Sequence, residues 1–249
     1  MSARNYLSEL ERRVLVFDGS MGATLQTLDL DAEAYGGARY EGCIDALCVT
    51  RPEAPARLHQ GFLKAGCDVI ETNTFQASRL RLEEWGLADQ TYAINFAGAA
   101  VARRECDTWE HQDGRPRFVA GSIGPTGFLP SSDDPTLSNV RFGRLVEVFA
   151  EQARGLLEGG ADLLIVETQQ DILETKAVLL GARHCFAKAG RRVPLQVQVS
   201  LDTNGRMLLG TDVGAALAIL EGLGADVIGL NCSTGPEHMR EPVRYLVQN

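Results

Sequence analysis

Cys232 is the residue of this sequence most suited to chemistry, because it ends an apolar run in a chain without disulfide spacing. Residues 227–236 read V-I-G-L-N-C-S-T-G-P, so the run stops at Asn231 and Cys232, before a Ser-Thr-Gly-Pro turn. A thiol there can be a nucleophile or a metal ligand, although free cysteine more often packs in the core. A lone cysteine cannot hold zinc, which takes three or four protein ligands. By itself Cys232 is therefore a nucleophile, one ligand of a larger set, or core.

Polar side chains also end the other apolar runs of the chain. These are Asp18, Glu71 with Asn73, Ser122, Glu167, and Ser200 with Asp202. Carboxylates bind an ammonium group, and the backbone N–H groups of glycine-rich turns bind a carboxylate, so the combination suits a zwitterionic amino acid. Each acid taken singly is as readily explained as a helix cap or a brace for a strand end.

The elements that position these residues alternate between strands and helices. Apolar runs predict strands at 14–17, 68–71, 118–121, 162–166, 195–199 and at a segment ending with residue 232. Helices are predicted at 53–65, 77–85, 90–106, 141–158, 171–186, 212–223 and from 236 onward. Helix 141–158 carries apolar residues at three- and four-residue spacing, which predicts one buried face. Three helices stop at a glycine shortly before the next strand, since a helix end favours a left-handed residue.

This alternation predicts a parallel sheet with both faces covered, either an open doubly wound sheet or a barrel. A dinucleotide-binding open sheet normally has G-x-G-x-x-G after its first strand, whereas this turn reads D-G-S-M-G-A. The polar strand ends favour a (β/α)8 TIM barrel, whose active sites lie at the carboxyl ends of the strands. We count six βα units where a barrel has eight, so we expect a barrel truncated after about six units, as in a fragment of a longer protein.

Composition excludes several classes of function. The net charge of −9 over 249 residues disfavours a nucleic-acid partner, which requires clustered Lys and Arg. No apolar run approaches the roughly 20 residues of a membrane span, and the charged N-terminus is not a secretory signal. The six cysteines include no Cys-x-x-Cys pair, which fits a reducing compartment. We therefore expect a cytoplasmic protein without nucleic-acid or membrane partners.

Five motifs, in order along the chain, resemble the homocysteine S-methyltransferase family. They are F-D-G-S-M-G-A-T-L-Q (17–26), D-V-I-E-T-N-T-F (68–75), G-S-I-G-P-T-G (121–127), G-G-A-D-L-L-I-V-E-T (159–168) and I-G-L-N-C-S-T-G-P (228–236). The similarity is greatest to the N-terminal homocysteine-binding domain of cobalamin-dependent methionine synthases, a branch that the connection 35–52 also matches. The resemblance implies that residues 1–249 are this domain, C-terminally incomplete by two βα units.

The resemblance also implies a zinc ion held by three cysteine thiolates, the first of which corresponds to Cys232. In the family the other two form an adjacent Cys-Cys pair, and this sequence contains none. We therefore expect those two ligands beyond residue 249. The remaining cysteines match no ligand of the family and are predicted to pack: Cys43, Cys48, Cys67, Cys106 and Cys185.

For the substrate, the resemblance assigns Asp18 and Glu167 to the ammonium group of homocysteine. It places the backbone amides of Ser20 and Met21 near the substrate carboxylate. It also includes Asn231, which precedes the proposed metal ligand, in the substrate-binding set.

The implied reaction is the zinc-dependent methylation of the homocysteine thiol to give methionine. A free thiol has a pKa of about 8.5 and is mostly protonated at neutral pH, whereas a zinc-bound thiol is held as the thiolate. The methyl donor would be methylcobalamin, recharged from methyltetrahydrofolate, so cobalamin and folate domains of the same parent chain are the expected partners.

Two alternatives remain open at this point. One is a stand-alone methyltransferase that uses a betaine or sulfonium donor. The other is a catalytically inert fragment, because the Cys-Cys ligands are absent. A barrel acting on a sugar phosphate is disfavoured, since its phosphate site would come from the seventh and eighth units.

Overall fold

The computed structural model of the protein describes residues 5–249 and contains a parallel β-sheet covered by helices. Neighbouring strands are hydrogen-bonded in sequential order, and every pair is parallel. The strands are β1 (Val69–Glu71), β2 (Phe118–Ile123), β3 (Leu163–Gln169), β4 (Leu195–Val199) and β5 (Val227–Leu230). The helices are α1 (Tyr6–Arg12), α2 (Met21–Gln26), α3 (Leu47–Thr50), α4 (Glu53–Ala65), α5 (Arg79–Glu83), α6 (Thr91–Asp113), α7 (Phe142–Gly159), α8 (Ile172–Ala189), α9 (Val213–Gly222) and α10 (Pro236–Gln248).

The sequential strand order is that of a (β/α)8 barrel, because a doubly wound sheet reverses its order at a switch point. Within residues 5–249 the sheet stays open, and β5 has β4 as its one neighbouring strand. None of the helices in this part of the chain is both long and apolar enough to cross a bilayer.

The segment 14–17 forms no regular strand, so this element of the prediction is wrong. Phe17 makes an isolated parallel bridge to Val69, and the Val69 N–H donates to the carbonyl of Val16 over 3.1 Å. On its other side the segment pairs with no strand of residues 5–249, and Val14 and Val16 are 84% and 53% exposed. It lies where a first strand is expected, but its pairing with β1 is limited to this bridge, whereas the edge strand β5 pairs with β4 over four residues.

Helices α1 and α7 both pack against the sheet, but only α7 was predicted from the sequence. The apolar stripe of α7 is buried against the sheet as predicted, and Leu145, Phe149 and Leu156 have no exposed surface. Helix α1 was not predicted from the sequence. Its buried Tyr6 donates a hydrogen bond of 2.6 Å to Gln196 Oε1 and belongs to an apolar cluster with residues of β1, β2 and β3.

Aspartates at the amino ends of the strands fix the register of the sheet. Asp68, Asp162 and Asp226 each accept the N–H of a residue in the preceding strand segment and also pair with an arginine. Their partners are, in order, the N–H groups of Val16, Val119 and Leu195, and the guanidinium groups of Arg13, Arg103 and Arg192. In the repeated Gly-x-Asp of the sequence, the glycine therefore lies at the end of a helix. The aspartate is a structural residue whose charge is balanced by an arginine.

Gly159 allows helices α7 and α6 to approach closely. A Cβ at this position would lie 2.5 Å from the carbonyl oxygen of Phe96 and 2.8 Å from Ala99 Cβ. We expect Gly159→Ala to lower the free energy of unfolding by about 1–3 kcal/mol, because the added methyl overpacks the contact. Gly143→Ala in the same helix is the control, since no atom lies within 4 Å of the Cβ there. Urea unfolding that gave equal midpoints for the two variants would contradict this prediction.

Candidate active site

Three acidic side chains meet at the carboxyl ends of the strands. Asp18 follows the bridged segment 14–17, Glu71 ends β1, and Glu167 lies near the end of β3. Both carboxylate oxygens of Asp18 accept the backbone N–H of Glu71, at 3.1 Å each. Glu71 and Glu167 are close enough for each carboxyl group to influence the pKa of the other. We call these three residues the acid cluster.

Glu167 is held in place by two neutral donors from other strands. Ser122 Oγ, from β2, donates to Glu167 Oε1 over 2.6 Å, and Asn231 Nδ2, just after β5, donates to Oε2 over 3.2 Å. Ser200 Oγ donates to the backbone carbonyl of Asn231 over 2.9 Å, which fixes that residue in turn. The Glu167 carboxyl is therefore oriented by its neighbours and connects three strand ends.

The pKa values of the acid cluster are raised. Burial raises the pKa of Asp18 to about 8, and the charge of Glu167 adds to this effect. Burial also raises the pKa of Glu71 well above its usual range, with the charges of Glu167 and Asp18 adding further. Burial raises the pKa of Glu167, and the donors Ser122 and Asn231 oppose that shift. Among residues 5–249, no basic side chain contributes to any of these shifts.

The acidic side chains at the two ends of the sheet therefore differ in their partners. At the amino ends Asp68, Asp162 and Asp226 each have an arginine partner, whereas the acid cluster at the carboxyl ends has none within the described residues. Buried acids without a basic partner favour their neutral form, as the raised pKa values indicate, and a bound cation would favour the ionised form. The cluster is therefore a candidate site for a cation.

The Cys232 thiol adjoins the acid cluster and is exposed. Its Sγ lies 3.6 Å from Thr168 Oγ1 and 3.5 Å from Asn231 Nδ2. Asn231 also bonds Thr168 twice: its Nδ2 donates to Oγ1 over 2.9 Å, and its Oδ1 accepts the Thr168 N–H over 2.8 Å. The Asn231 side chain thus links the thiol to Glu167.

The backbone around the thiol adopts an uncommon conformation. Thr168, Cys232 and Ser233 have φ values of 57°, 58° and 64°, in the left-handed region that residues other than glycine rarely occupy. The pairing of β3 with β4 also shifts register between Val166 and Gln169. Such strain tends to cluster at functional sites, and here it surrounds the only exposed cysteine of the described residues.

The other site residues predicted from the sequence fall in two groups. Ser20, which is exposed, precedes α2 and makes no side-chain capping bond, and the half-buried Met21 is its first residue. Their N–H groups follow Asp18 and Gly19 in the chain, at a helix start, where N–H groups lack intrahelical partners. Asp202 and Asn73 do not join the cluster. Asp202 is exposed and accepts N–H groups of its own turn, and Asn73 Nδ2 donates to the Ile44 carbonyl.

The described residues do not by themselves fit a zinc ion. No three His, Cys, Asp or Glu side chains within residues 5–249 are grouped as a metal requires. Cys232 supplies one thiolate, which is too few for a zinc site. The other cysteines are all buried, as predicted: Cys43, Cys48, Cys67, Cys106 and Cys185.

Comparison with known families identifies the chain. The model of the homocysteine S-methyltransferase family matches residues 15–249. The chain belongs to this family. Membership of this family agrees with the class of enzyme, a methyltransferase, that the sequence motifs indicate.

Relatives of this chain include much longer proteins. Methionine synthases of Mycobacterium tuberculosis (strain ATCC 25618 / H37Rv) and Mycobacterium leprae (strain TN) are each 42% identical to it over 240 residues. These matches cover 96% of this chain but only 20% and 19% of the two relatives. The chain thus spans about a fifth of the length of the methionine synthases it matches.

Solved structures confirm the fold. The homocysteine methyltransferase MmuM from Escherichia coli, in its metallated form, superposes with a TM-score of 0.76 at 20% identity, covering 96% of this chain and 81% of that one. Its oxidized form also gives a TM-score of 0.76, covering 98% of this chain and 82% of that one. The barrel-type α/β architecture predicted from the strand ends is therefore correct.

Proposed function

We propose that residues 1–249 are the homocysteine-binding domain of a methionine synthase, in which homocysteine is S-methylated to methionine. One observation carries this proposal beyond family membership: within residues 5–249, an acid cluster without a basic partner adjoins the one exposed thiol. The relatives called methionine synthase, which are about five times as long as the chain, support the placement within a larger protein.

The proposed substrate position follows from charge. The ammonium group of homocysteine supplies the positive charge that the acid cluster lacks, and it lies against Asp18 and Glu167. The N–H groups of Ser20 and Met21 donate to the substrate carboxylate, since N–H groups at a helix start favour anions. Asn231 contributes by holding Glu167 and by contacting the thiol of Cys232.

We also propose zinc as the metal of the site, with Cys232 as one ligand. The exposure of this thiol beside the acid cluster supports the assignment, as does the existence of a metallated form of E. coli MmuM. The remaining ligands must come from outside residues 5–249, because this part of the chain offers no group of three.

The methyl donor is proposed to be methylcobalamin, carried by another domain and recharged from methyltetrahydrofolate in a folate domain of the same parent chain. This assignment rests on the resemblance of the sequence motifs to cobalamin-dependent methionine synthases, and the relatives named methionine synthase agree with it. A cytoplasmic location is proposed with it. The alternatives are a betaine- or sulfonium-dependent homocysteine methyltransferase and an inert homocysteine-binding fragment.

Methyl-donor competition tests the proposed function. We expect the full-length protein to form methionine from homocysteine when methylcobalamin is supplied, and not when betaine or an S-methyl sulfonium compound replaces it. Methionine formed only with betaine or the sulfonium donor would favour the stand-alone alternative. Homocysteine binding without product from any donor would favour the inert one.

A further inference from the structure

We infer that Thr168 is a positioning residue of the site: its hydroxyl group donates a hydrogen bond to the Cys232 sulfur and fixes the direction of the thiol next to the acid cluster. The inference rests on the proposed function, because it concerns the thiol on which the proposed site depends. It gives a role to a residue that the substrate and metal assignments leave out.

The orientation of the Asn231 amide group is fixed by a backbone contact. The Thr168 N–H can only donate, and it bonds the Asn231 Oδ1 atom over 2.8 Å. The other end of the amide is therefore the Nδ2 group, which donates. Exchanging the two amide atoms would place one donor against another, so the contacts themselves settle the orientation.

The Asn231 Nδ2 group has two hydrogens but three neighbouring acceptors. These are Thr168 Oγ1 at 2.9 Å, Glu167 Oε2 at 3.2 Å and Cys232 Sγ at 3.5 Å. Oxygen is a stronger acceptor than sulfur, so the two hydrogens go to the hydroxyl and the carboxylate. The sulfur therefore depends on a donor other than Asn231.

The Thr168 hydroxyl group is that donor. Its oxygen accepts from Asn231 Nδ2, and the Cys232 sulfur, at 3.6 Å, is the acceptor that the described residues place near its hydrogen. If the thiol donated instead, the hydroxyl hydrogen would have no protein acceptor in this part of the chain. A thiolate has no hydrogen to donate, so in that form only the hydroxyl group can be the donor.

The backbone of Thr168 agrees with a fixed position for the hydroxyl group. Its φ of 57° is left-handed, and β-branched residues rarely adopt such a value. Strain of this kind persists only where surrounding contacts hold it, and here the backbone N–H and the hydroxyl group both bond Asn231. A glycine would adopt this φ more easily but would have no hydroxyl group.

The hydrogen bond is expected to be strongest when the sulfur is ionised. The thiolate is the reacting form of a cysteine, and a hydrogen bond to an ionised acceptor is about twice as strong as one between neutral groups. The Thr168 hydroxyl group therefore stabilises the form of Cys232 that reacts with an electrophile. It also limits rotation of the cysteine side chain.

Alkylation of Cys232 tests this hydrogen bond without substrate or methyl donor. The full-length protein, freed of metal with a chelator, is treated with iodoacetamide at neutral pH, and mass spectrometry follows the peptide that contains Cys232. We expect Thr168→Val, which keeps the branched shape without the hydroxyl group, to react about two- to fivefold more slowly than wild type. Thr168→Ser should restore the wild-type rate. Thr108→Val makes the same change at an exposed position of α6 and should react as wild type.

Two outcomes of the alkylation experiment would overturn the inference. One is an equal rate for Thr168→Val and wild type, and the other is a rate for Thr168→Ser as low as that for Thr168→Val. If Thr168→Val does not fold, Thr168→Ala removes the hydroxyl group without a branched side chain, and its rate is compared in the same way.

Turnover of the full-length protein separates this inference from the proposed function. We expect kcat to fall about two- to fivefold in Thr168→Val, while the KM for homocysteine stays within about twofold of wild type, because Thr168 is not one of the acids that bind the ammonium group. A raised KM with an unchanged kcat would overturn the inference. If the alkylation rates differ as expected but wild type forms no methionine from any donor, the proposed function fails and the hydrogen bond stands.

Discussion

Replacing Cys232 with alanine should leave the full-length protein without bound zinc and without methionine formation. A site that loses one of its thiolates loses both metal affinity and the negative charge that holds the cation. After dialysis against a weak chelator, we expect the zinc content to fall from about one per chain to near zero. We expect kcat/KM for homocysteine to fall by at least about 10²-fold.

Cys185→Ala is the matched control for this experiment. Cys185 is buried between the helices that cover the sheet, whereas Cys232 is exposed at the strand ends. The control should keep its zinc and its turnover, and lose only a small amount of stability. Normal zinc content in Cys232→Ala would remove this residue from the metal site, whatever happened to turnover.

Where both ends of an element carry local signals, the sequence predicted its bounds well. Helix α4 lies between Pro52 and Gly66 and has the bounds expected for it. Strand β4 also matches, and it follows Pro194. The segment 14–17 has an equally apolar sequence but forms only a bridge, because strand pairing depends on neighbours that the local sequence does not encode. Helix α1 was missed for a related reason: its key contact joins Tyr6 to Gln196.

The sequence predicts where the site residues lie along the strands better than it predicts which side chains contact each other. Strand-end placement indicated Glu167, Asn231 and Cys232, which the structure brings together. The same criterion also selected Asp202, whose carboxylate instead accepts hydrogen bonds in its own turn. A position at a strand end places a residue at the carboxyl end of the sheet, but it does not fix the direction of the side chain.

Thr168 illustrates what the sequence could not reveal. Its hydroxyl group contacts both Asn231 and Cys232, yet that contact depends on a left-handed φ of 57°. A β-branched residue is among the least expected at such a φ, so no propensity argument selects it. The conformation accompanies a register shift in β3, which is a property of the strand pair and not of either strand alone.

Glu167→Gln should mainly raise the KM of the full-length protein for homocysteine. The substitution removes one of the charges that face the substrate ammonium group. It also places an amide where Asn231 Nδ2 now donates to a carboxylate oxygen. Charged hydrogen bonds contribute about 1.5–3 kcal/mol, so we expect a KM increase of about 10- to 100-fold. The kcat should change by less than about threefold, since binding of the ammonium group is common to ground and transition states.

Asp202→Asn makes the same chemical change at another strand end and should leave the KM unchanged, because Asp202 lies outside the acid cluster. Calorimetric binding of methionine to both variants separates affinity from turnover, and Glu167→Gln should weaken it by a factor similar to the KM increase. An unchanged KM with a lowered kcat would contradict the ammonium assignment. Glu167 would then act on the methyl-transfer step, and Asp18 would be left as the acid that binds the amino group.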